Sequence, residues 1–184
     1  MLIASFETGE QKENLIQNKT GDILSRIRKW RITVKEPIRI LFVCHGNICR
    51  SPMAEFVMKD MVEKKYRRND FFIASAATST EELGNPVYPP ARRIMKQHGL
   101  DCDGKYARQI TRADYHDYDY LIGMDERNII NMKRFFGGDP ENKISLLLSW
   151  AGINREVADP WYSGNFEATW DDVNCGCAAL LEQL

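Results

Sequence analysis

Ile38-Arg39-Ile40-Leu41-Phe42-Val43-Cys44-His45-Gly46-Asn47-Ile48-Cys49-Arg50-Ser51-Pro52 is the stretch on which the reading of this chain turns. Its first six residues are apolar and β-branched enough for a buried strand. Pro52 suits the first turn of a helix, where its missing N–H would find no partner anyway. Cys44 is therefore predicted at the C-terminal edge of a strand, on a tight loop that opens a helix. Open α/β sheets carry their ligand sites at that edge. The N–H groups of such a loop, together with a helix N-terminus, suit an anion of phosphate size.

Outward from this loop the chain alternates between the two periodicities. Met53, Phe56, Val57 and Met61 recur at helical spacing, which predicts a helix from Ser51 to about Lys65. Phe71-Phe72-Ile73-Ala74 reads as a second strand, and the Gly- and Pro-rich run from Thr78 to Pro90 as a loop able to wall a cleft. Ala91, Ile94, Met95 and His98 share one face of the next helix, with Gly99 placed to end it. Thr111 and Asp114 form a weak helix-start signal. Tyr120 to Met124 is a third strand, and Asp125 is an N-cap candidate for a helix carrying Ile129, Ile130 and Met132. Ile144 to Leu148 is a fourth strand. After a polar loop with Asp159-Pro160-Trp161-Tyr162, a last helix places Phe166, Trp170, Val173, Cys177, Leu180, Leu181 and Leu184 on one stripe. This alternation predicts an α/β fold of three layers: a four-stranded parallel sheet flanked by helices, with the anion loop after the first strand.

Residues 1–37 differ from the rest and are expected to be an N-terminal extension, mobile or holding a short helix within 22–31; the catalytic domain is expected over 38–184. The formal net charge of -1 gives no support for a nucleic-acid or membrane-surface partner. No apolar run approaches the length needed to span a bilayer, and the start lacks the charged and apolar regions of a secretory signal. Five cysteines do not suggest a disulfide framework. Reduced thiols and a cytoplasmic location are expected.

Five residues separate Cys44 from Arg50, about enough to curl the backbone so that successive N–H groups converge. Gly46, and also Asn47, can supply the positive φ that such a curl needs. Arg50 can close the ring with a bidentate pair to phosphate oxygens. Helix N-termini and neighbouring cations lower thiol pKa values by several units, so Cys44 is predicted to be a nucleophilic thiolate. The Ser51 hydroxyl can hydrogen-bond that sulfur and ease its departure. A phosphate ester also needs its leaving oxygen protonated, and Asp159, stiffened by Pro160, is the candidate acid. Trp161 and Tyr162 either flank a flat aromatic substrate or pack as core. His98, on an apolar helix face, reads as a core histidine.

Val43 to Pro52, taken with Asp159-Pro160-Trp161-Tyr162, resembles the low-molecular-weight protein tyrosine phosphatases. The likeness runs from about Ile38 to the C-terminus and takes in Ser75 to Ser79, Gly84-Asn85-Pro86, Lys96 to Gly99, Ala107 to Ile110 and Met124-Asp125-Glu126. The resemblance implies hydrolysis of protein phosphotyrosine, or of a small aryl phosphate, without metal or cofactor. It implies that Cys44 forms a phosphocysteine and that Arg50 binds the phosphoryl group. It implies that Asp159 protonates the leaving phenol and then activates water. It further implies that Asn47 and Ser51 hold the loop, that His98 supports Asn47 by hydrogen bonding, and that Cys49 can form a disulfide with Cys44. Inorganic phosphate or a similar oxyanion should bind the loop. Phe71 stands near where some members carry a cleft tryptophan, and His45 follows the nucleophile where an aliphatic residue is common.

Two neighbouring activities compete. Arsenate reduction needs further redox cysteines, and Cys102, Cys175 and Cys177 offer no evident relay. Protein arginine phosphatases resemble this family closely but typically carry threonine at the position matching Ile48, so Ile48 favours phosphotyrosine.

Overall fold

The computed structural model describes residues 36–184; the short helix expected within 22–31 lies outside them. The elements in chain order are β1 (Ile38–Cys44), α1 (Arg50–Lys64), β2 (Phe71–Ala77), α2 (Pro89–Gln97), α3 (Asp114–Asp117), β3 (Tyr120–Gly123), α4 (Glu126–Phe136), β4 (Ile144–Leu146), α5 (Pro160–Ser163) and α6 (Phe166–Gln183). All four strands are parallel, in the order β2-β1-β3-β4. The fold class predicted above is the one observed.

β1 sits in the middle of the sheet and is covered on both faces from Ile40 to Cys44, which is why that run is continuously apolar instead of alternating. Ile40 and Phe42 pack into one layer with Met53, Val57 and Met58 of α1, Met95 of α2 and Val173, Cys177 and Leu181 of α6. Leu41 and Val43 point into the other layer, against Tyr115 of α3 and Met132 of α4. In register, Cys44 lies beside Ala77, and Val43 beside Gly123. The chain leaves β1 for β2 on one side and reaches β3 on the other. The two connections therefore diverge at the C-terminal ends of β1 and β3 and leave a crevice there.

α4 starts with a full capping box, in which the Asp125 carboxylate accepts from Asn128 N–H, and stops at Gly137 in the left-handed region. The fourth strand is shorter than expected. It ends at Leu146, because the chain turns into a 3-10 segment over Leu148–Ala151 closed by Gly152 at φ 69. Leu147 is fully buried there. α6 crosses it so closely that a Cβ on Gly176 would lie 2.5 Å from Leu147 Cγ. The expected loop around Asp159 contains one helical turn, α5, which Asp159 caps by accepting from Trp161 N–H at 3.0 Å. Among the described residues no helix is long and apolar enough to cross a membrane.

Candidate active site

The loop between β1 and α1 is pinned from outside by its own carbonyls. Cys44 O accepts from Thr78 N–H at 2.9 Å, His45 O from Ser79 N–H at 3.0 Å and Ile48 O from Tyr88 N–H at 2.9 Å. These bonds turn the carbonyls away from the loop's centre and tie it to the segment after β2. Asn47 takes the positive φ, at 58°. Gly46 is not in the left-handed region, contrary to expectation. Its lack of a side chain serves a close approach instead, since a Cβ there would lie 3.0 Å from Glu82 Cγ.

Around the sulfur the polar contacts are short. Ser51 Oγ is 3.1 Å from Cys44 Sγ, and Asn47 N–H donates to the same sulfur at 3.3 Å. The Asn47 side chain is hydrogen-bonded through both its nitrogen and its oxygen. Its Nδ2 donates to Ser51 Oγ at 2.9 Å and to Ser75 Oγ at 2.8 Å, while its Oδ1 accepts from Arg108 N–H at 3.2 Å. Ser75 in turn donates to Glu55 Oε2 at 2.6 Å. Glu55 is buried, and its carboxylate also takes Lys105 at 2.7 Å and Lys59 at 2.5 Å. Burial alone would push the Glu55 pKa up, but the two ammonium groups outweigh it and hold the carboxyl below its ordinary value.

His98 is not part of this network. α2 ends at Gln97, so His98 is its C-cap, and its ring stacks on Trp170 of α6 at 4.0 Å and 11°. Its Nε2 lies 3.8 Å from Glu167 Oε2, and its side chain is 41% exposed. The helical face that suggested an interior position ends one residue too early. The support expected of His98 is supplied by Ser75 and Arg108. Ser75, Glu55 and Lys105 were missed as site residues. The available signal was two polar side chains, Glu55 and Ser75, on elements whose neighbours are apolar.

Arg50 is 4% exposed, and its guanidinium spans two carboxylates. Nη1 donates to Asp125 Oδ2 at 2.6 Å, and Nη2 lies 2.7 Å from Asp159 Oδ2. Burial works against this charge, but Cys44, Asp159 and Asp125 hold the Arg50 pKa above its ordinary value. Asp125 was read only as an N-cap. It serves α4 with Oδ1 and Arg50 with Oδ2. Cys49 is buried, and its thiol is pushed up to about 12 by desolvation first and then by the charges of Cys44 and Asp159.

A cleft of about 990 Å³ opens over this loop, lined among others by Cys44, Ile48, Arg50, Asp125, Asp159, Trp161 and Tyr162. Trp161 and Tyr162 are 59% and 82% exposed, so they stand at the rim and are not core. Phe71 does not reach the cleft. It pairs with Ile38 at the opposite end of the seven-residue strands, about 20 Å away, and is buried beneath the guanidinium of Arg67. The rim on the β2 side comes instead from Glu81 and Glu82, with Glu81 Oε2 3.0 Å from His45 Nε2. The loop after β2 walls the cleft, as its Gly/Pro composition led us to expect.

Comparison with known proteins agrees with this geometry. The family model described as low molecular weight phosphotyrosine protein phosphatase matches residues 39–184. The low molecular weight protein-tyrosine-phosphatase YfkJ of Bacillus subtilis (strain 168) is 37% identical over 149 residues, spanning 80% of this chain and 96% of that protein. The crystal structure of YfkJ superposes with a TM-score of 0.77, covering 80% of this chain and 94% of that one. The low molecular weight phosphotyrosine protein phosphatase of Gallus gallus is 39% identical over 149 residues, spanning 78% and 94% of the two chains. The crystal structure of DARP, drosophila arginine phosphatase, has a TM-score of 0.74 at 30% identity and covers 79% and 97%. With a model match across nearly all described residues and relatives matched almost end to end, this chain belongs to the low molecular weight phosphotyrosine protein phosphatase family.

Proposed function

We propose that the protein is a phosphoric monoester hydrolase acting on protein phosphotyrosine through a phosphocysteine. The observation that carries this reading is the convergence of Cys44, Arg50 and Asp159 on one cleft, with the buried Ser51 hydroxyl 3.1 Å behind the sulfur and 2.7 Å between the cation and the acid. Cys44 Sγ attacks phosphorus, and the bond to the phenolic oxygen breaks as Asp159 delivers its proton. Arg50 binds two phosphoryl oxygens through Nε and Nη2, with Nη2 exchanging Asp159 for the substrate while Asp125 keeps Nη1 in place. Water then attacks the phosphocysteine, Asp159 takes its proton, and the sulfur leaves with the Ser51 hydroxyl beside it. Electrostatic stabilisation by the loop amides and Arg50 is the main source of acceleration.

Cys49 is the proposed redox partner: a Cys44 sulfenic acid formed by peroxide would condense with its thiol and release water. Phosphoarginine is the second substrate to test, because the drosophila arginine phosphatase shares the fold. Ile48 lines the cleft where arginine phosphatases typically carry threonine, which favours phosphotyrosine.

Turnover should be measured side by side on phosphotyrosine, phosphoserine and phosphoarginine peptides, with Cys44→Ser as the control. Phosphotyrosine should be hydrolysed fastest, and the variant should lose turnover while still binding phosphate. Hydrolysis by the pure variant would remove Cys44 as nucleophile, and faster phosphoarginine turnover would reverse the substrate assignment.

A further inference from the structure

We propose that Asp172, acting with Arg155 and Thr169, is a positioning residue for Asp159. The proposal rests on the reading of Asp159 as general acid. Thr169 and Asp172 lie three residues apart on α6, so they share a face. That face is otherwise apolar, yet both are buried, at 0% and 7% exposure. Neither lines the cleft. A buried carboxylate persists only where it is paired and hydrogen-bonded, and Asp172 is. Its Oδ2 accepts from Arg155 Nη1 at 2.7 Å and from Ala158 N–H at 2.9 Å, and its Oδ1 accepts from Arg155 Nη2 at 2.6 Å.

Thr169 completes the arrangement by donating its hydroxyl to Ala158 O at 2.8 Å. Both polar groups of the Ala158 backbone are thus committed to α6, one residue before Asp159. Upstream, Val157 N–H donates to Met124 O at 2.9 Å, and Arg155 Nη1 donates to Glu156 O at 3.1 Å. Residues 153–159 form no helix or strand, so these contacts define the path of the loop. The far side of Asp159 is fixed by Pro160. Between these anchors the Asp159 carboxylate reaches Arg50. A general acid acts only within hydrogen-bond reach of the leaving oxygen, and small misplacements are costly. A latch on the preceding peptide is what keeps that reach.

A latch of this kind has a signature that a purely stabilising role lacks. A poor leaving group depends on the acid and a good one does not. kcat/KM should be measured on phenyl phosphate and on dinitrophenyl phosphate for the full chain and for Asp172→Asn, Arg155→Gln and Thr169→Val, with Asp159→Asn for reference. Each latch variant should lose about tenfold or more on phenyl phosphate and about threefold or less on dinitrophenyl phosphate, within the span of general-acid effects. Inhibition by inorganic phosphate should stay within about twofold, because Arg50 and the loop amides are untouched. Equal losses on both esters, or no loss on either, would overturn the proposal. Arg155 is 55% exposed at its side chain, so Arg155→Gln decides by the same criterion if Asp172→Asn does not fold. Failure of the phosphatase reading itself looks different: the unaltered chain would then fail to hydrolyse dinitrophenyl phosphate at all.

Discussion

Asn47 holds a backbone angle most residues avoid, at φ 58, and makes three side-chain hydrogen bonds from 1% exposure. An alanine there would strain the curl and leave Ser51, Ser75 and Arg108 N–H short of partners. Two residues on, burial decides the chemistry of Cys49. With a pKa near 12, only about one part in ten thousand is thiolate at pH 8. Cys44→Ser protein loses the Cys44 charge but keeps burial, the larger cause, so the folded chain should still resist iodoacetamide at Cys49 while exposed Cys175 is alkylated, as read by peptide mass spectrometry. Equal labelling of the two would show that burial does not protect Cys49.

Helix α6 does three jobs from one length of chain. Its apolar stripe closes the core, Trp170 carries the His98 ring, and Thr169 with Asp172 holds the loop before Asp159. Gly176 is what lets it approach Leu147. In an isolated helix, alanine would beat glycine by about 1 kcal/mol. Here the added methyl would overlap a buried, branched carbon, and overpacking costs about 1–3 kcal/mol. Gly176→Ala should therefore lower stability despite its better helix propensity, seen as a lower urea midpoint at unchanged slope. A raised midpoint would mean that Leu147 can move aside.

Across the whole molecule, two buried carboxyls anchor the site from behind: Glu55 beneath the phosphate loop and Asp172 beneath the acid loop. For each, burial alone would raise the pKa, and cationic partners pull it below the ordinary value. A carboxyl with a depressed folded pKa contributes stability that is complete above its unfolded value, about pH 4. That stability is lost as pH falls through the folded value. The urea midpoint should accordingly fall steeply below about pH 4. Lys105→Met removes a donor from Glu55 and should cost about 1–3 kcal/mol at neutral pH, with a flatter acid limb. A midpoint indifferent to pH between 5 and 3 would contradict this account.

Much of this was legible along the chain. The apolar run from Ile40 to Val43 read as a buried strand, alternating periods implied the parallel sheet, and Cys44 to Pro52 marked the anion loop, because those are properties of neighbouring residues. His98 and Phe71 were misplaced for a related reason. Helical spacing says which residues share a face but not where the helix stops, and Phe71 lies at the end of its strand away from the cleft. The support of Asn47 by Ser75, the double duty of Asp125, the acidic rim of Glu81 and Glu82, and the hold of Asp172 on Ala158 join residues far apart in sequence. Local periodicity carries no trace of such pairs. Their partners are set by strand order and helix docking, and only the tertiary structure decides them.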